Sequence, residues 1–324
     1  MRISKSCGVK VGITIGDPSG IGPYITTKAL AELRDLADFT IIGDAYVLGF
    51  PCGGALRNLK RYGVRIVDLD NVKHRGFRFG KISAEYGRAS IEYLDTALSL
   101  VKDGLIDCLV TCPISKESIS KAGFHFSGHT EYLSLRAHAK DTVMMLLNKD
   151  LKVSLVTRHI PLAEVPLKLN KAIVSETILL TFRALKEMFS LGKPKVAVCG
   201  LNPHASDRGV VGGEEERIIK PALRTLRKKG ICADGPFSAD VAIAKTNQGQ
   251  YDAVIAMYHD QALIPLKLSG DYSGVNITLG LPFVRTSPLH GTAFDIAGTN
   301  RANPASLKEA IELAVKCTLN LKRG

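Results

Sequence analysis

Three histidines of this sequence each follow an apolar, strand-like segment and could together bind a metal ion. His159 follows KVSLVTR, His204 follows KVAVCGLNP and His259 follows DAVIAMY. If the three strands are parallel neighbours, the imidazoles converge on one edge of the sheet. Three neutral imidazoles that leave coordination positions open suit a divalent metal acting on a substrate. Taken singly, each is more often a hydrogen-bonded structural histidine; their shared position makes the metal site an equal alternative.

The segment GHTEYL, 128–133, places a histidine at the expected start of a helix. Thr130 can cap that helix, and Glu131 suits its positive end, which is the ordinary structural explanation. His129 is not needed for capping. A histidine and free backbone amides at a helix N-terminus form a natural seat for an anion.

The stretch 274–306 is rich in polar residues and is interrupted by glycine and proline. It contains Asn276, Arg285, His290 and Asp295 in what we expect to be a long loop with little room for a core. Such loops inside compact domains are usually functional. Arg285 suits bidentate binding of a phosphate or a carboxylate.

Near the N-terminus, GITIGDPSGIGP combines a strand, a glycine-rich turn and Pro23 at the expected first turn of a helix. The segment lacks both GxGxxG and the GK[ST] of a P-loop, so the usual nucleotide-binding fingerprints are absent. A tight turn between a strand and a helix explains it as well as a binding role does.

The elements that must position these residues alternate between short β-branched segments and longer helical patterns. This alternation predicts an α/β protein with a mainly parallel sheet that is covered on both faces. Ligands of such sheets gather at the carboxyl ends of the strands, where the three histidines lie. The predicted strands are VGITIG, FTIIGD, VRIVDL, IDCLVTC, TVMMLL, KVSLVT, KVAVCG and DAVIAM, and the long helices cover 83–102, 171–189, 214–229 and 306–322.

The composition is that of an ordinary globular protein, with 324 residues, 45% of them apolar and 23% charged. The sequence has no apolar segment long enough to span a bilayer and no signal peptide, so we expect a cytoplasmic protein. Its seven cysteines form no CxxC pair, which favours reduced thiols. Cys108 and Cys112 could be metal ligands, but IDCLVTC is better explained as one buried strand.

The net charge of +12 suggests nucleic-acid binding as an alternative. The lysines and arginines are spread along the chain, however, and the densest cluster, RTLRKKG at 224–230, lies at the end of a predicted helix, where cations suit the helix dipole. No RNA-binding signature with interleaved aromatic residues is present. Anionic small-molecule ligands therefore fit the charge better than nucleic acid or a membrane.

Taken together and in order, these segments resemble the 4-hydroxythreonine-4-phosphate dehydrogenase family of pyridoxal phosphate biosynthesis. The resemblance covers nearly the whole chain and rests on GDPSGIGP, CPISK, GHTEYL, TRHIPL, GLNPHA, EEERIIKPA, GPFSAD, MYHDQALIPLK and NITLGLPFVRTSPLHGTAFDIAG. Each block alone is moderately specific, whereas the ordered set is very specific. The last block is also similar to the NAD-binding loop of the isocitrate and isopropylmalate dehydrogenases.

The resemblance implies a two-domain α/β/α fold of the isocitrate/isopropylmalate-dehydrogenase type with mainly parallel sheets. We expect residues 1–127 with 275–324 to form a domain that carries the NAD loop. Residues 128–274 are expected to form the domain with the metal ligands and the dimer contacts. The family works as a homodimer with shared active sites, in which both subunits contribute ligands to one divalent metal, here Zn, Co, Mg, Mn or Ni.

The resemblance assigns the roles of the family's residues to the residues of this chain at the same positions in the matching blocks. The catalytic base remains open between Asp260, Asp240 and Lys116. Asp260 could instead orient His259. The implied metal ligands are His159, His204 and His259; the implied substrate-binding residues are His129, Thr130, Lys267, Asn276 and Arg285; and the implied cofactor-binding residues are His290, Gly291, Thr292, Ala293, Asp295 and Asn303.

The family oxidises the C3 hydroxyl of 4-phosphooxy-threonine with NAD, after which the β-keto acid loses CO2. A divalent metal would lower the pKa of the alcohol, and NAD would carry the hydride. A carboxylate at Asp295 would accept hydrogen bonds from a free ribose 2′-hydroxyl and repel a 2′-phosphate. We therefore expect NAD to be preferred over NADP.

Several positions depart from the family pattern: Tyr24 replaces a glutamate, Ser115 an asparagine and Leu289 an aspartate, and NPHASDRG replaces the commoner NPHAGE.G. These departures leave room for another phosphorylated acid, 4-phospho-threonate or 4-phospho-erythronate, under the same chemistry. A metal-dependent hydrolase or lyase without NAD is a second alternative, against which HGTAFDIAG argues. A non-catalytic phosphate- or RNA-binding protein would leave the three histidines without a purpose.

Overall fold

The structure is a computed structural model that describes residues 8–50, 55–126, 128–268 and 273–324. Its strands are β1 (Lys10–Thr14), β2 (Asp38–Gly43), β3 (Arg65–Asp68), β4 (Cys108–Thr111), β5 (Val143–Asn148), β6 (Leu151–Leu155), β7 (Val196–Cys199), β8 (Ala233–Phe237), β9 (Ala253–Ala256), β10 (Val275–Leu279) and β11 (Val284–Pro288). Its α-helices are α1 (Gly22–Leu33), α2 (Ala45–Gly49), α3 (Ala55–Arg61), α4 (Ala84–Lys102), α5 (Lys116–Lys121), α6 (His129–Arg136), α7 (Val165–Lys168), α8 (Lys171–Glu187), α9 (Lys220–Arg227), α10 (Ala239–Asn247), α11 (His259–Leu268) and α12 (Ala305–Arg323).

The chain divides into two compact units. The first unit extends to Ala139 and resumes with Leu281–Arg323, and the second comprises Lys140–Gly280 with Gly324. The sequence predicted divisions at 127/128 and 274/275, whereas the structure places α6 in the first unit and β10 in the second.

In the first unit the strands lie in the order β3-β2-β1-β4-β11, and the four neighbouring pairs are all parallel. Parallel strands are covered on both faces, and accordingly Val11, Ile13 and Leu109 are fully buried. Helix α4 is capped at its N-terminus by Ser83, whose side chain accepts a hydrogen bond of 3.3 Å from the amide of Tyr86. This cap satisfies a backbone donor that the first helical turn would otherwise leave open.

In the second unit the order is β10-β5-β6-β9-β7-β8. The two pairs that involve β5 are antiparallel, and β6, β9, β7 and β8 are parallel neighbours. The core packs α8 and α9 against these strands through residues such as Ile178, Leu223, Val198 and Ile255. Strands β6, β9 and β7 precede His159, His259 and His204, and they are the parallel neighbours that the histidine argument requires.

All eight strands and all four long helices predicted from the sequence are present, which confirms an α/β protein with mainly parallel sheets. The segment predicted as a helix over 214–229 begins with a π-helical turn, Glu215–Ile219, before α9. Strand β8 was not predicted, because its sequence ADGPF contains glycine and proline, which usually interrupt strands.

The prediction that 274–306 is one long polar loop with little core was wrong. This stretch contains β10 and β11, whose residues are all buried. Some of their polar side chains find partners elsewhere in the fold: the hydroxyl of Thr286 on β11, for example, donates a hydrogen bond of 2.7 Å to the carbonyl of Ala310 in α12. Polar residues in a buried strand need partners from elsewhere in the fold, which a local pattern does not reveal.

Five of the seven cysteines belong to the described residues and are free thiols, as predicted. Cys7 and Cys52 lie outside the described residues. Burial raises the pKa of the Cys112 thiol to about 12, which keeps it protonated. Across the described ranges, none of the helices is both long and apolar enough to cross a membrane.

Candidate active site

Arg285 forms the centre of a buried polar site in the first unit. It lies on β11, is 1% exposed, and donates a hydrogen bond of 2.6 Å from Nη2 to Oγ1 of Thr111 at the end of β4. The parallel register pairs Arg285 with Leu109, so the side chains of Arg285 and Thr111 lie on the same face of the sheet. Burial lowers the pKa of Arg285, and the charge of Glu131 opposes that shift.

His129 lies close to this guanidinium, at the first residue of α6. Burial and then the positive charge of Arg285 hold the pKa of His129 well below its ordinary value, so the imidazole is neutral. Its Nε2 atom is buried and makes no hydrogen bond within the described part of the chain. Such an atom costs about 1–3 kcal/mol unless a ligand or water satisfies it. Thr130, the next residue, is 3% exposed, so it also lies inside the unit.

A cleft of about 260 Å³ in the second unit contains two of the three predicted metal ligands. The imidazole rings of His159 and His259 are 5.6 Å apart between centroids, and Nδ1 of His259 lies 2.6 Å from the carboxylate oxygen Oδ1 of Asp260. A carboxylate can only accept here, so Nδ1 carries the proton and Nε2 is left for a ligand. The cleft is lined by Arg158, His159, Ile160, Leu162, Val165, Tyr258, His259 and Asp260.

His204 follows β7 at the expected edge but begins an unusual backbone turn. Residues His204 to Arg208 all have positive φ, between 43° and 67°, and none of them is glycine. Within the described ranges, no group of three or more histidine, cysteine, aspartate or glutamate side chains is arranged to hold a metal ion. One chain therefore brings together His159 and His259, and the three-histidine site remains a prediction.

Glu215 supports the segment before His204 and was not identified from the sequence. It is fully buried, and its Oε1 accepts hydrogen bonds of 2.8 Å from the amides of both Leu201 and Asn202. Its Oε2 accepts a third, of 3.0 Å, from the side chain of Asn202. Glu215 also opens the π-helical turn, a conformation that often marks functional sites. The repeated glutamates of EEE gave no sign of which one is buried.

The three candidate bases occupy different positions. Asp260 lies in the histidine cleft and is bound to His259. Asp240, near the start of α10, is exposed, and its pKa is lowered by a hydrogen bond from Ser238 and, to a smaller extent, by the charge of His204. Lys116 is the exposed first residue of α5. The structure therefore places Asp260 and Asp240 beside predicted metal ligands, and Lys116 in the first unit.

Two predicted substrate-binding residues belong to the second unit. Lys267 is an exposed cation in the last turn of α11. Asn276 lies on β10, is 9% exposed, and its Oδ1 is buried without a hydrogen bond among the residues described here. Both side chains therefore have polar atoms available for a ligand.

The predicted cofactor loop comprises residues 290–303. Its first part has a buried polar atom that a closely bound ligand could contact. Nε2 of His290 is buried and has no hydrogen-bond partner within the described ranges, while Nδ1 lies 3.1 Å from the carbonyl of Gly291. Burial lowers the pKa of His290, so its imidazole is neutral. The carbonyl of Thr292 accepts a hydrogen bond of 3.0 Å from the amide of Ile21, which ties this loop to the GDPSGIGP turn.

The rest of the cofactor loop is more exposed. Ala293 has a positive φ of 44°, and the Asp295 side chain is exposed, as a ribose-binding carboxylate would need to be. Oδ1 of Asn303 accepts a hydrogen bond of 2.9 Å from the amide of Ala305 at the start of α12. Asn303 is thus a helix cap, and its amide NH2 group is the part left for a ligand.

The residues that depart from the family pattern make hydrogen bonds of their own in this chain. The hydroxyl of Tyr24 donates a hydrogen bond of 3.1 Å to the carbonyl of Asn300, and Ser115 caps α5 through the amide of Ser118. The amide of Leu289 donates to the hydroxyl of Ser306. Tyr24 thereby links α1 to the cofactor loop.

The chain matches the family model described as pyridoxal phosphate biosynthetic protein PdxA over residues 33–314. It is 45% identical over 323 residues to a 4-hydroxythreonine-4-phosphate dehydrogenase of Sulfurihydrogenibium sp. (strain YO3AOP1), covering 95% of this chain and 98% of the relative. A crystal structure of a 4-hydroxythreonine-4-phosphate dehydrogenase from Klebsiella pneumoniae, 36% identical, superposes with a TM-score of 0.83 over 97% of this chain and 100% of that one.

The fold resemblance extends further. An isocitrate dehydrogenase from Methylococcus capsulatus, 13% identical, superposes with a TM-score of 0.50 over 97% of this chain and 87% of that one. At this identity the likeness concerns the fold alone, and it confirms the predicted isocitrate-dehydrogenase type. With the family model matched over most of its length, the chain belongs to the PdxA family of pyridoxal phosphate biosynthetic proteins.

Proposed function

We propose that this chain is an NAD- and divalent-metal-dependent 4-hydroxythreonine-4-phosphate dehydrogenase of pyridoxal 5′-phosphate biosynthesis. It would oxidise the C3 hydroxyl of 4-phosphooxy-L-threonine and release the carboxyl group as CO2, giving 3-amino-2-oxopropyl phosphate. The observation that carries this proposal is the buried guanidinium of Arg285, held by Thr111 and next to the neutral imidazole of His129. A buried cation beside an unsatisfied imidazole nitrogen is a receptor for an anionic substrate.

The substrate has two anionic groups, a phosphate and a carboxylate. Arg285 and Lys267 supply the positive charge for them, and His129, Thr130 and Asn276 supply hydrogen bonds. Because His129 is neutral, it can donate from one ring nitrogen and accept at the other. A buried arginine adds geometric selection, since its planar fork matches a phosphate or carboxylate.

His159 and His259 are proposed to hold one divalent ion together with His204 from the partner subunit of a homodimer. The two rings in one cleft supply ligands of the type that Zn, Co, Mn or Ni prefer, whereas Mg usually takes oxygen ligands. When bound, the ion would polarise the C3 hydroxyl and NAD would accept the hydride. Asp260 keeps the proton on Nδ1 of His259, so that Nε2 would be left to bind the ion.

The proton of the C3 hydroxyl must pass to a base of this chain. Asp240 is the candidate that we favour, because its carboxylate is exposed and lies close to His204. Asp260 is engaged with His259. An Asp240→Asn variant should therefore lose kcat while its affinity for the metal stays within twofold.

NAD is proposed to bind through His290, Gly291, Thr292, Ala293, Asp295 and Asn303. The exposed Asp295 carboxylate favours a free 2′-hydroxyl over a 2′-phosphate. We expect a lower KM for NAD than for NADP, and an Asp295→Ser variant should narrow the difference. A lower KM for NADP in the unaltered protein would contradict this assignment.

The deciding experiment is NADH formation with 4-phosphooxy-threonine, with and without a chelator, and with each divalent metal added back. Metal-dependent NADH formation supports the proposal. Parallel reactions with 4-phospho-threonate and 4-phospho-erythronate test the alternative substrates; activity with these alone would keep the chemistry and change the pathway. No NADH from any of the three acids would reject the dehydrogenase.

Shared metal sites can be tested by mixing two inactive variants, His159→Ala and His204→Ala. If these ligands come from different subunits, each mixed dimer contains one intact site and one doubly altered site. Random exchange of subunits then restores about a quarter of the activity of the unaltered protein. If all three ligands belong to one subunit, mixing restores none.

A further inference from the structure

The loop 76–81, between β3 and α4, lines a cavity of about 450 Å³. None of the residues assigned so far to the metal, substrate or cofactor sites lines this cavity. The cavity is lined by Gly76, Arg78, Phe79, Gly80 and Lys81. Its volume lies in the range of small-molecule sites, about 300–1,000 Å³. We name this segment the basic loop.

The basic loop is fastened to the GDPSGIGP turn by two hydrogen bonds. The amide of Gly80 donates to the carbonyl of Ser19 over 2.8 Å, and the hydroxyl of Ser19 donates to the carbonyl of Lys81 over 2.7 Å. Ser19 is itself buried, and its amide donates a hydrogen bond of 2.9 Å to Oδ1 of the buried Asp17 side chain, which also lies 2.9 Å from the Ser19 hydroxyl oxygen. The same turn donates from Ile21 to Thr292 of the cofactor loop.

The basic loop also packs directly against the cofactor loop. A Cβ atom added to Gly80 would lie 2.9 Å from the carbonyl oxygen of Phe294, and one added to Gly298 would lie 2.5 Å from the ring of Phe79. These approaches are closer than side chains allow, so glycine is required at both positions. Two residues that line the cavity, Phe79 and Gly80, are therefore packed against the predicted NAD-binding segment.

The chemistry of the cavity suits a phosphorylated ligand. Arg78 and Lys81 are exposed, and within the described ranges neither side chain makes an ion pair or a hydrogen bond. Phe79 is half-buried and offers an aromatic surface. Two free cations beside glycine backbone that a ligand can approach closely are the groups that diphosphates bind.

We propose that Arg78 and Lys81 bind the diphosphate of the dinucleotide whose other contacts lie on the cofactor loop. The inference rests on the proposed function, since it takes NAD as the ligand, and it assigns residues that the sequence comparison did not. The GDPSGIGP turn then has a role as well: it holds the basic loop and the cofactor loop together, although it contains neither nucleotide-binding fingerprint.

The test measures binding without turnover, by titration of the protein with NADH, ADP-ribose, adenosine and 4-phosphooxy-threonine. The variants are Arg78→Gln, Lys81→Gln and the double variant, and the matched control is Arg75→Gln, an exposed cation of the same region that does not line the cavity. We expect Kd for NADH and ADP-ribose to rise on the order of tenfold in each single variant. Adenosine, which lacks the diphosphate, should bind equally to the unaltered protein and to all four variants, and thermal midpoints should not change.

Three results would overturn the inference alone, with NADH still bound by the unaltered protein. One is unchanged NADH affinity in both single variants, and another is an equal loss in Arg75→Gln, which would reflect only the general positive field. The third is a loss of affinity for 4-phosphooxy-threonine without any for NADH, which would assign the cations to the substrate. If the unaltered protein bound neither NADH nor ADP-ribose, the proposed function would fail together with this inference.

Discussion

Nη2 of Arg285 and Oγ1 of Thr111 are 2.6 Å apart, and both residues are buried on one face of the first unit's sheet. A guanidinium in such a place costs free energy unless its donors are satisfied. Thr111 satisfies one of them, and the close His129 imidazole is kept neutral rather than adding a second positive charge. The structure therefore holds a single positive charge at this buried position, which is the feature that the proposed anion binding uses.

A Thr111→Val change should weaken substrate binding through Arg285. Valine has nearly the same shape but removes the acceptor, so we expect KM for the phosphorylated substrate to rise about tenfold and stability to fall by roughly 1–2 kcal/mol. The matched control is Thr286→Val, which removes a hydrogen bond of similar length from the neighbouring strand, to Ala310. Steady-state kinetics and urea denaturation give both quantities. An equal rise of KM in the control would show that the effect is one of stability only.

Arg285 also shows what the sequence could and could not predict. Its residue type and the NITLGLPFVRTSPLHG block indicated an anion-binding role, but its surroundings were predicted as a loop. The buried strand β11 follows from pairing with β4, a strand that lies more than 170 residues earlier in the chain. No local pattern contains that information, and Thr111 could have been found only from the rule that ligands gather at strand ends.

Glu215 is expected to act as a positioning residue for His204. A Glu215→Gln change leaves one carbonyl oxygen for the amides of Leu201 and Asn202 but turns a donor toward the side chain of Asn202. We expect about 1–3 kcal/mol of lost stability and at least a tenfold loss of metal affinity in a Co²⁺ titration. The control is Glu216→Gln, an exposed neighbour paired with Lys220, which should bind the metal as before. A Glu215→Gln protein that loses stability but keeps its metal affinity would assign Glu215 a structural role alone.

In the left-handed turn that begins at His204, a substitution by glycine should stabilise the protein, whereas in a helix it usually destabilises it. Arg208 has a φ of 57° and is exposed. Arg208→Gly removes the cost of this backbone conformation in the folded state, roughly 1–2 kcal/mol. It also raises the conformational entropy of the unfolded chain, which lowers stability by about 0.5–1 kcal/mol. We expect a gain in stability of about 0.5 kcal/mol. The same change at Arg224, an exposed residue of α9, should cost about 1 kcal/mol. Urea denaturation distinguishes the two, and a loss of stability in both would show that the positive φ carries no strain.

This turn lay beyond sequence prediction for a physical reason. The edge of the sheet at which His204 lies follows from β7 alone, and that expectation was met. The segment HASDR contains no glycine, so nothing in its composition indicates five successive positive φ angles. The conformation is supported from outside, by the carboxylate of Glu215 and by the packing of Gly200, where a Cβ atom would lie 2.9 Å from Cα of Ala205.

The buried His129 should make the protein less stable as the pH falls. Its folded pKa is far below the ordinary value of 6.5, so below about pH 6.5 the unfolded chain binds a proton at this residue that the folded chain does not. The free energy of unfolding then falls with falling pH, by up to about 1.4 kcal/mol per pH unit from this residue. Above pH 6.5 the residue is neutral in both states and contributes no slope.

A His129→Gln variant removes this contribution and keeps a polar side chain of similar reach. Between pH 7.5 and pH 5.5 the variant should gain about 1 kcal/mol in stability relative to the unaltered protein, as measured by urea denaturation at the two pH values. His125→Gln, at an exposed position four residues earlier, controls for the loss of a histidine. If the difference between His129→Gln and the unaltered protein were the same at both pH values, the imidazole would be free to take up a proton in the folded state. His129 would then be a second cation beside Arg285, and not a neutral hydrogen-bonding group.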